Sequence, residues 1–542
     1  MLVLPACFGR GSVDDATRAA LARALASSEA ASSSAANAPV AIPPAKLTVI
    51  HPPTPLRGAN GLACFERRLF VAEALGDRVA EVSPSGAVQF LTMPSGLAGP
   101  DDLLFDDDGN LYVTAAAAGE VWRRDVRGSW SVVARGVAGV NGIARDPSGR
   151  LFVGACLLGD GLFEIDPAGV APPRPIARDL GCPNAMTSDG PGSLIVPLLA
   201  AGRVVRLDVD RGTSEVLASG LRAPVAAKRA PDGSIVVLDA ATGTIHSLGV
   251  SPTASGAGEV LARLAPGLDG FTTCGESALV SSFLSGEIRA FKPWPTESRA
   301  LVAPGLAAPH GLTESGGAVL LSDGVSIKRL RGATFDVVAA TAIDPIPPPY
   351  GIALARGGFA WITVPHLGEV HRVDLAARTS SKVAGGFDRP TSVVASPLGG
   401  ALVLDGGAGR VVRVDVDGST RPLASGLLSP VGLALRGSEV LTVEPDGGRV
   451  LALREGIAPS VVASGLAGPA GIAVDPAGRL FVVERRTGSL IRIGTDGAQV
   501  RLVHGLPAAA GRTHLDAVPM LAEADGSILM ALPDGSLLRV TQ

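Results

Sequence analysis

The chain runs to 542 residues with a formal net charge of −4 and a pI near 6.0. That length exceeds a single hydrophobic core and asks for several domains or a repeat array. The mild acidity excludes the basic footprint of a nucleic-acid-binding protein. Apolar residues make up 46%, but they fall in short runs broken by Gly, Pro, Asp and Ser. No run is long enough for a membrane span. With 69 Gly and 42 Pro, long helices are excluded over most of the chain, and at 4% aromatics the strands must pack Val, Leu, Ile and Ala.

From the N-terminus, MLVLPAC resembles the tail of a lipoprotein signal with Cys7 as the lipid-bearing residue, although it lacks a basic n-region and a full apolar stretch. Either the true start lies upstream or the likeness is accidental. Residues 13–31 (VDDATRAALARALASSEAA) read as one short helix, with Ser12 or Asp14 as its cap. Residues 32–45 are an Ala/Ser/Pro-rich linker. Residues 1–45 are thus a signal-like tether, which fits an exported, extracytoplasmic protein, periplasmic or secreted.

Beyond the tether one phrase returns: GPDDLLFDDDGNLYV at 99–113, GVNGIARDPSGRLFV at 139–153, GPAGIAVDPAGRLFVVE at 468–484. Its anchors are Gly61, Asp102, Gly142, Ala185, Ala226, Gly270, Gly311, Gly351, Ser392, Gly432, Gly471 and Pro519, twelve units about 41 residues apart. The longest gap holds the insertion PAAAGRTHLDA. Each unit reads strand, Gly turn, strand, strand, Asp-Gly turn, strand, and ends in G-L-x-x-P. Four short strands joined by hairpins make a β-propeller blade. A solenoid is the competing repeat architecture, though its periods are mostly shorter or helical.

Twelve blades in one ring would leave a wide hole. The expected fold is therefore all-β: two consecutive six-bladed propellers, over 46–307 and 308–542, with a 5+7 split as the alternative. Residues 47–50 (LTVI) form a strand with no blade before it, and the last unit stops at its third strand. The simplest scheme has LTVI completing the sixth blade and the strand at 299–303 completing the twelfth, each ring clasped by its own N-terminal strand.

The phrases GPAGIAVDPAGRLFVVE and VNGIARDPSGRLFVG resemble NHL-repeat proteins, virginiamycin B lyase-like proteins and the gluconolactonase (senescence-marker, SMP-30) family. The resemblance covers nearly all of residues 47–542. It implies the fold and leaves the activity open, because these phrases build blades.

The residue before each anchor should face one mouth of the central tunnel. Ring one reads Asn60, Asp101, Asn141, Asn184, Val225, Asp269; ring two reads His310, Tyr350, Thr391, Val431, Ala470, Val518. Two readings apply to ring one. Asn and Asp suit turns, where they bond nearby amides. Converging carboxylate and amide oxygens also suit Ca²⁺ or another hard divalent cation, so Asn60, Asp101, Asn141, Asn184 and Asp269 are the candidate metal ligands. A cation there would polarise an ester or lactone.

Gluconolactonase-type propellers hold a divalent cation with a Glu, an Asn and an Asp, and the resemblance places Asn184 where the family's metal-binding Asn would lie. It makes Asn141 similar to a substrate-side or ligand Asn. Asn60 replaces the expected Glu, and Val225 stands where the family's Asp would be. In ring two, His310, Tyr350, His366 in a turn, and His514 with Asp516 in the insertion are the candidate mouth residues. PHGLT resembles the lyase-like propellers, where a His does acid–base work. An acidic residue closing many second strands (Glu73, Asp239, Asp323, Asp405, Glu444, Glu484) reads as structural, bonding the turn that follows.

Of five cysteines, Cys156 and Cys182 should lie at one mouth on adjacent blades, where a disulfide fits, and Cys64 and Cys274 on neighbouring inner strands once ring one closes. Four buried thiols are the alternative. The functional expectation is an exported scaffold that binds a small molecule, glycan or protein, with no nucleic acid and no membrane span. The alternative is a divalent-metal-dependent hydrolase at the mouth of ring one, or else a lyase.

Overall fold

The computed structural model describes residues 45–542 apart from 231, 251, 253–255, 342 and 508–516. Cys7, the helix at 13–31, His514 and Asp516 lie outside the described residues. The strands form twelve four-stranded antiparallel sheets. The chain is a β-propeller protein: in each of two compact units six sheets follow one another as blades, and the first strands of neighbouring blades pack side by side around a ring.

The first unit, Pro55–Ala307, holds blades one to six. Blade one comprises Ala59–Phe65, Arg68–Glu73, Arg78–Val82 and Val88–Phe90; blade six comprises Leu268–Cys274, Ser277–Ser282, Ile288–Phe291 and Ser298–Val302. Alternation along the strands supplies the core. Leu69, Val71, Ala80 and Val82 of blade one pack on Leu279, Ile288, Ala290 and Val302 of blade six. Between hairpin strands, Asp-initiated turns recur. Asp475 accepts from the Arg479 amide at 2.8 Å, and Gly478 takes the positive φ of 79° that such a turn demands.

The second unit, Ala308–Gln542 together with residues 45–54, holds blades seven to twelve. Here the expected closure is wrong in both halves. Lys46–His51, which contains LTVI, pairs with Leu537–Thr541 and so completes blade twelve, not blade six. Ser298–Val302 pairs with Ile288–Phe291 and is blade six's own fourth strand. The reason is apolar packing: Leu47 sits in one cluster with Ile528, Met530, Leu538 and Val540 of blade twelve and Phe481 of blade eleven. Residues 45–54 therefore belong with the second ring, although they precede the first in sequence.

Glycine anchors let inner strands of adjacent blades meet. A Cβ at Gly61 would lie 2.5 Å from Asp102 Oδ1, and one at Gly270 would lie 2.5 Å from the Asn60 carbonyl oxygen. Blade four departs from the pattern. Its inner strand shrinks to Thr187–Ser188, and Ala185 bridges sideways and in parallel to Ala226 of blade five.

The recurrent acids are structural, but their partner is not the following turn. Each reaches back 15 to 17 residues to the G-L-x-x-P loop that leads into its blade. Glu73 accepts from the Arg57 amide, Asp323 from Ala308, Asp405 from Arg389, Glu444 from Leu428 and Glu484 from Ala467, at 2.5 to 2.9 Å. Asp239 takes the amides of both Arg222 and Ala223. A cation five residues on neutralises four of them: Arg78, Lys328, Arg410 and Arg449. Buried loop amides must be paired, and these carboxylates pair them.

Since the exchanged strand closes ring two, Leu47→Ala should weaken ring two alone. Calorimetry should show one of two unfolding transitions destabilised by about 2–5 kcal/mol and the other unmoved. A shift of the ring-one transition would contradict the pairing.

Candidate functional site

The first strands of blades one, two, three, five and six carry Asn60, Asp101, Asn141, Val225 and Asp269. Asn60 and Asp101 meet directly: Asn60 Nδ2 donates to Asp101 Oδ2 at 3.2 Å. The Asp101 carboxyl is pushed up to about 8 from the usual carboxylate range, first by burial and then by the Asp102 charge, with the Asn60 amide opposing. Burial also raises Asp269 well above its ordinary range, and the charges of Asp101 and Asp102 add to the shift. Three carboxyl groups from blades two and six thus feel one another.

Asp102 went unread as a site residue because it occupies a structural anchor. It is buried, and its oxygens accept from the amides of Leu103 at 2.9 Å and Ile143 at 3.1 Å, the latter from blade three. Lys228 also went unread. It sits on Pro224–Arg229 of blade five, three blades away around the ring, and its Nζ comes within 3.6 Å of Asp102 Oδ2. In a six-bladed ring that pair spans the lumen. The signal was legible as a lysine directly after the apolar run PVAA of an inner strand.

The amides divide. Asn184 Oδ1 accepts from the Ala185 amide at 2.8 Å, the turn role. Asn60 and Asn141 are buried, at 4% and 7% exposure, and the Oδ1 of each has no hydrogen-bond partner. A buried acceptor left unmet costs roughly 1–3 kcal/mol, so both oxygens are free to serve a ligand. Val225 is buried and apolar.

A second set of unread residues ties the mouth together. A hydroxyl on the second strand, ten to twelve residues past its anchor, bonds the anchor region. Ser281 Oγ accepts from the Gly270 amide at 2.7 Å and donates to the Asn60 carbonyl at 2.5 Å, joining blade six to blade one. Ser322 donates to the Tyr350 carbonyl, joining blade seven to blade eight. Thr114, Thr363 and Thr442 do the same work within their own blades.

At ring two's mouth His310 stacks on Tyr350, centroids 4.0 Å apart and planes 19° from parallel. His366 lies on a short 3-10 turn, Pro365–Leu367, and burial holds its imidazole below the ordinary value, with Glu369 opposing. Val431, Ala470 and Val518 are buried in blade packing.

Both disulfides form. Cys156–Cys182 joins blades three and four, Cα atoms 4.3 Å apart, and Cys64–Cys274 joins blades one and six at 5.4 Å. Among the described residues no three His, Cys, Asp or Glu side chains make a ready metal cluster. Any cation at ring one would rest on carboxyls of Asp101 and Asp269 with the open amide oxygens of Asn60 and Asn141. That is a hard, all-oxygen donor set, and the unmet amide oxygens fit it.

Against known proteins, the family model described as strictosidine synthase-like, N-terminal, matches residues 86–124, which span parts of blades one and two. Virginiamycin B lyase from Staphylococcus aureus is similar at 13% identity over 59% of this chain and 96% of its own, with a TM-score of 0.31. A candidate gluconolactonase is similar at 15% identity over 48% and 93%, TM-score 0.38. A nidogen/laminin complex is similar at 21% over 42% and 92%, TM-score 0.33. No curated protein matches the sequence. These likenesses bear on no chemistry.

The raised carboxyl makes a pH prediction. A carboxyl whose folded value lies above its unfolded one binds more protons when folded, so stability falls as pH rises from about 4 through about 8. Asp101→Asn should remove Asp101's share of that loss. The ring-one melting temperature should exceed wild type at pH 9 and match it near pH 4, read by calorimetry across the range.

Proposed function

We propose that the chain is a binding protein whose first ring takes a cation, or a ligand presenting one, at its tunnel mouth. The observation that carries this reading is the joint presence of two raised carboxyls, Asp101 and Asp269, and two buried amide oxygens without partners, on Asn60 and Asn141. Carboxyls held protonated by burial and mutual repulsion are relieved by a positive charge, which restores their ionised form. A divalent cation with oxygen preference, Ca²⁺ first, suits the donors. Lys228 pairs with Asp102, which leaves Asp101 and Asp269 as the carboxyl pair that a ligand's positive charge would ionise.

The two disulfides support an oxidising, extracytoplasmic location. A lipid anchor at Cys7 remains part of the same proposal. No helix among the described residues is long and apolar enough to cross a membrane.

A hydrolase is the second reading. Asp101, protonated near neutrality, has the character of a general acid beside an oxygen-lined site. A bound cation would add polarisation of a lactone or ester oxygen.

Titration calorimetry with CaCl₂, MgCl₂ and ZnCl₂ tests the binding reading. One cation should bind, and at pH 7 it should release on the order of one proton, seen as buffer-dependent heat. Asp101→Asn and Asp269→Asn should each weaken binding at least tenfold, and Lys228→Met should strengthen it. No binding heat, and no effect of EDTA on the melting temperature, would remove the cation reading. A lactone and ester panel on the loaded protein then separates hydrolase from binder.

A further inference from the structure

The two rings close by different means. In ring two a strand from outside the ring, Lys46–His51, completes the last blade. In ring one blades one and six are each built from one continuous segment, and among the described residues no strand crosses between them. That seam is held by apolar packing, by the Ser281 bridge to Asn60, and by one covalent bond, Cys64–Cys274, which spans 210 residues.

The bond lies on the strands that build the mouth. Ala59–Phe65 carries Asn60 at its tunnel-mouth end and Cys64 at the other; Leu268–Cys274 carries Asp269 and Cys274 in the same order. The two strands are therefore one clamp, with the disulfide at its far end.

The disulfide is also reachable. Cys64 and Cys274 are half-buried, whereas Cys156 and Cys182 are 2% and 7% exposed. Cys274 lines a solvent-open cleft of about 120 Å³ at the seam, walled by Leu69, Val82, Leu279 and Leu301, with Arg67 and Arg299 also lining it. Guanidinium groups near a cysteine favour the thiolate form of attacking and leaving sulfurs.

We propose that Cys64–Cys274 is a thiol–disulfide exchange site, the redox lock of ring one, and that a dithiol reductant entering the seam cleft opens it and loosens the Asn60–Asp269 mouth. One thiolate of the reductant attacks Cys274 Sγ. The Cys64–Cys274 bond breaks, and Cys64 leaves as a thiolate that takes up a proton. The reductant's second thiol then resolves the mixed disulfide, leaving the reductant oxidised by two electrons and Cys274 as a thiol. Ring two has no such lock. The proposal stands whether or not the mouth takes a cation, since it concerns how the two strands are held.

The test is stepwise reduction of the full chain with dithiothreitol, alkylation and mass spectrometry, paired with amide hydrogen exchange. Cys64 and Cys274 should become labelled at a dithiothreitol concentration at least tenfold below that needed for Cys156 and Cys182. In that state exchange across Ala59–Phe65 and Leu268–Cys274 should speed at least tenfold, and exchange in Val431–Arg436 of ring two should not change. Reoxidation should restore the slow rates. A Cys64→Ser, Cys274→Ser double variant should exchange like the reduced protein, and should it fail to fold, the reduced wild type decides alone. The proposal is overturned if Cys156–Cys182 opens first or together with the seam bond. It is equally overturned if exchange in the two strands stays unchanged once Cys64 and Cys274 are free.

Discussion

A ring of blades buries its sheet faces only if the first blade meets the last. Packing between successive blades joins segments that follow one another in sequence; the contact of first with last does not, and it carries the loop-closure entropy of the whole ring. The molecule meets the constraint twice with different devices. Ring two borrows Lys46–His51, so the last sheet gains backbone hydrogen bonds from a segment laid down before ring one begins. Ring one keeps its blades continuous and ties Cys64 to Cys274. In the chain-entropy picture, a cross-link over a loop that long stabilises by removing freedom from the unfolded chain, by about 5 kcal/mol.

Within each ring, close approach of inner strands strips their backbones of water, and polar side chains replace it. Acids at the ends of second strands take the amides of the entering G-L-x-x-P loops, and hydroxyls in the middle of second strands take the anchors. The repetition of Glu73, Asp323, Asp405, Glu444 and Glu484 was visible in the sequence, and so was its structural meaning. Its direction was not. A carboxylate at a strand end can reach forward to its own turn or back to the preceding loop, and only the ring geometry brings that loop over it. The hydroxyls repeat as well, at Thr114, Ser281, Ser322, Thr363 and Thr442, but a Ser or Thr in a strand is too common to stand out.

The architecture was legible because a propeller writes its period into the chain: twelve phrases, four strands each, glycines where strands crowd. Closure was not, because LTVI is a generic apolar strand that would pair as well with blade six as with blade twelve. The choice is made by the cluster around Phe481, Met530 and Leu538, which no local pattern announces. The mouth was half legible. Counting the residue before each anchor found Asn60, Asp101 and Asp269, but treated five polar residues as equals. Asn184 spends its oxygen on the next amide, whereas Asn60 and Asn141 keep theirs open. Asp102 and Lys228 escaped because one sits at an anchor and the other deep in an inner strand, and their pairing joins blades 126 residues apart.

That pairing changes what the mouth is. Three neighbouring carboxyls with no cation disfavour one another's ionised form. Lys228 removes one of the three charges, and burial protonates much of what is left. The mouth therefore holds together without a bound ion, its remaining carboxyls raised above their ordinary range. A metal cage of three carboxylates would need its ion in order to hold together; this mouth does not. Its cohesion comes from Ser281 and the seam bond below it, which frees Asn60, Asp101 and Asp269 from structural duty. In ring one the amide oxygens of Asn60 and Asn141 are the buried acceptors that this framework leaves unmet.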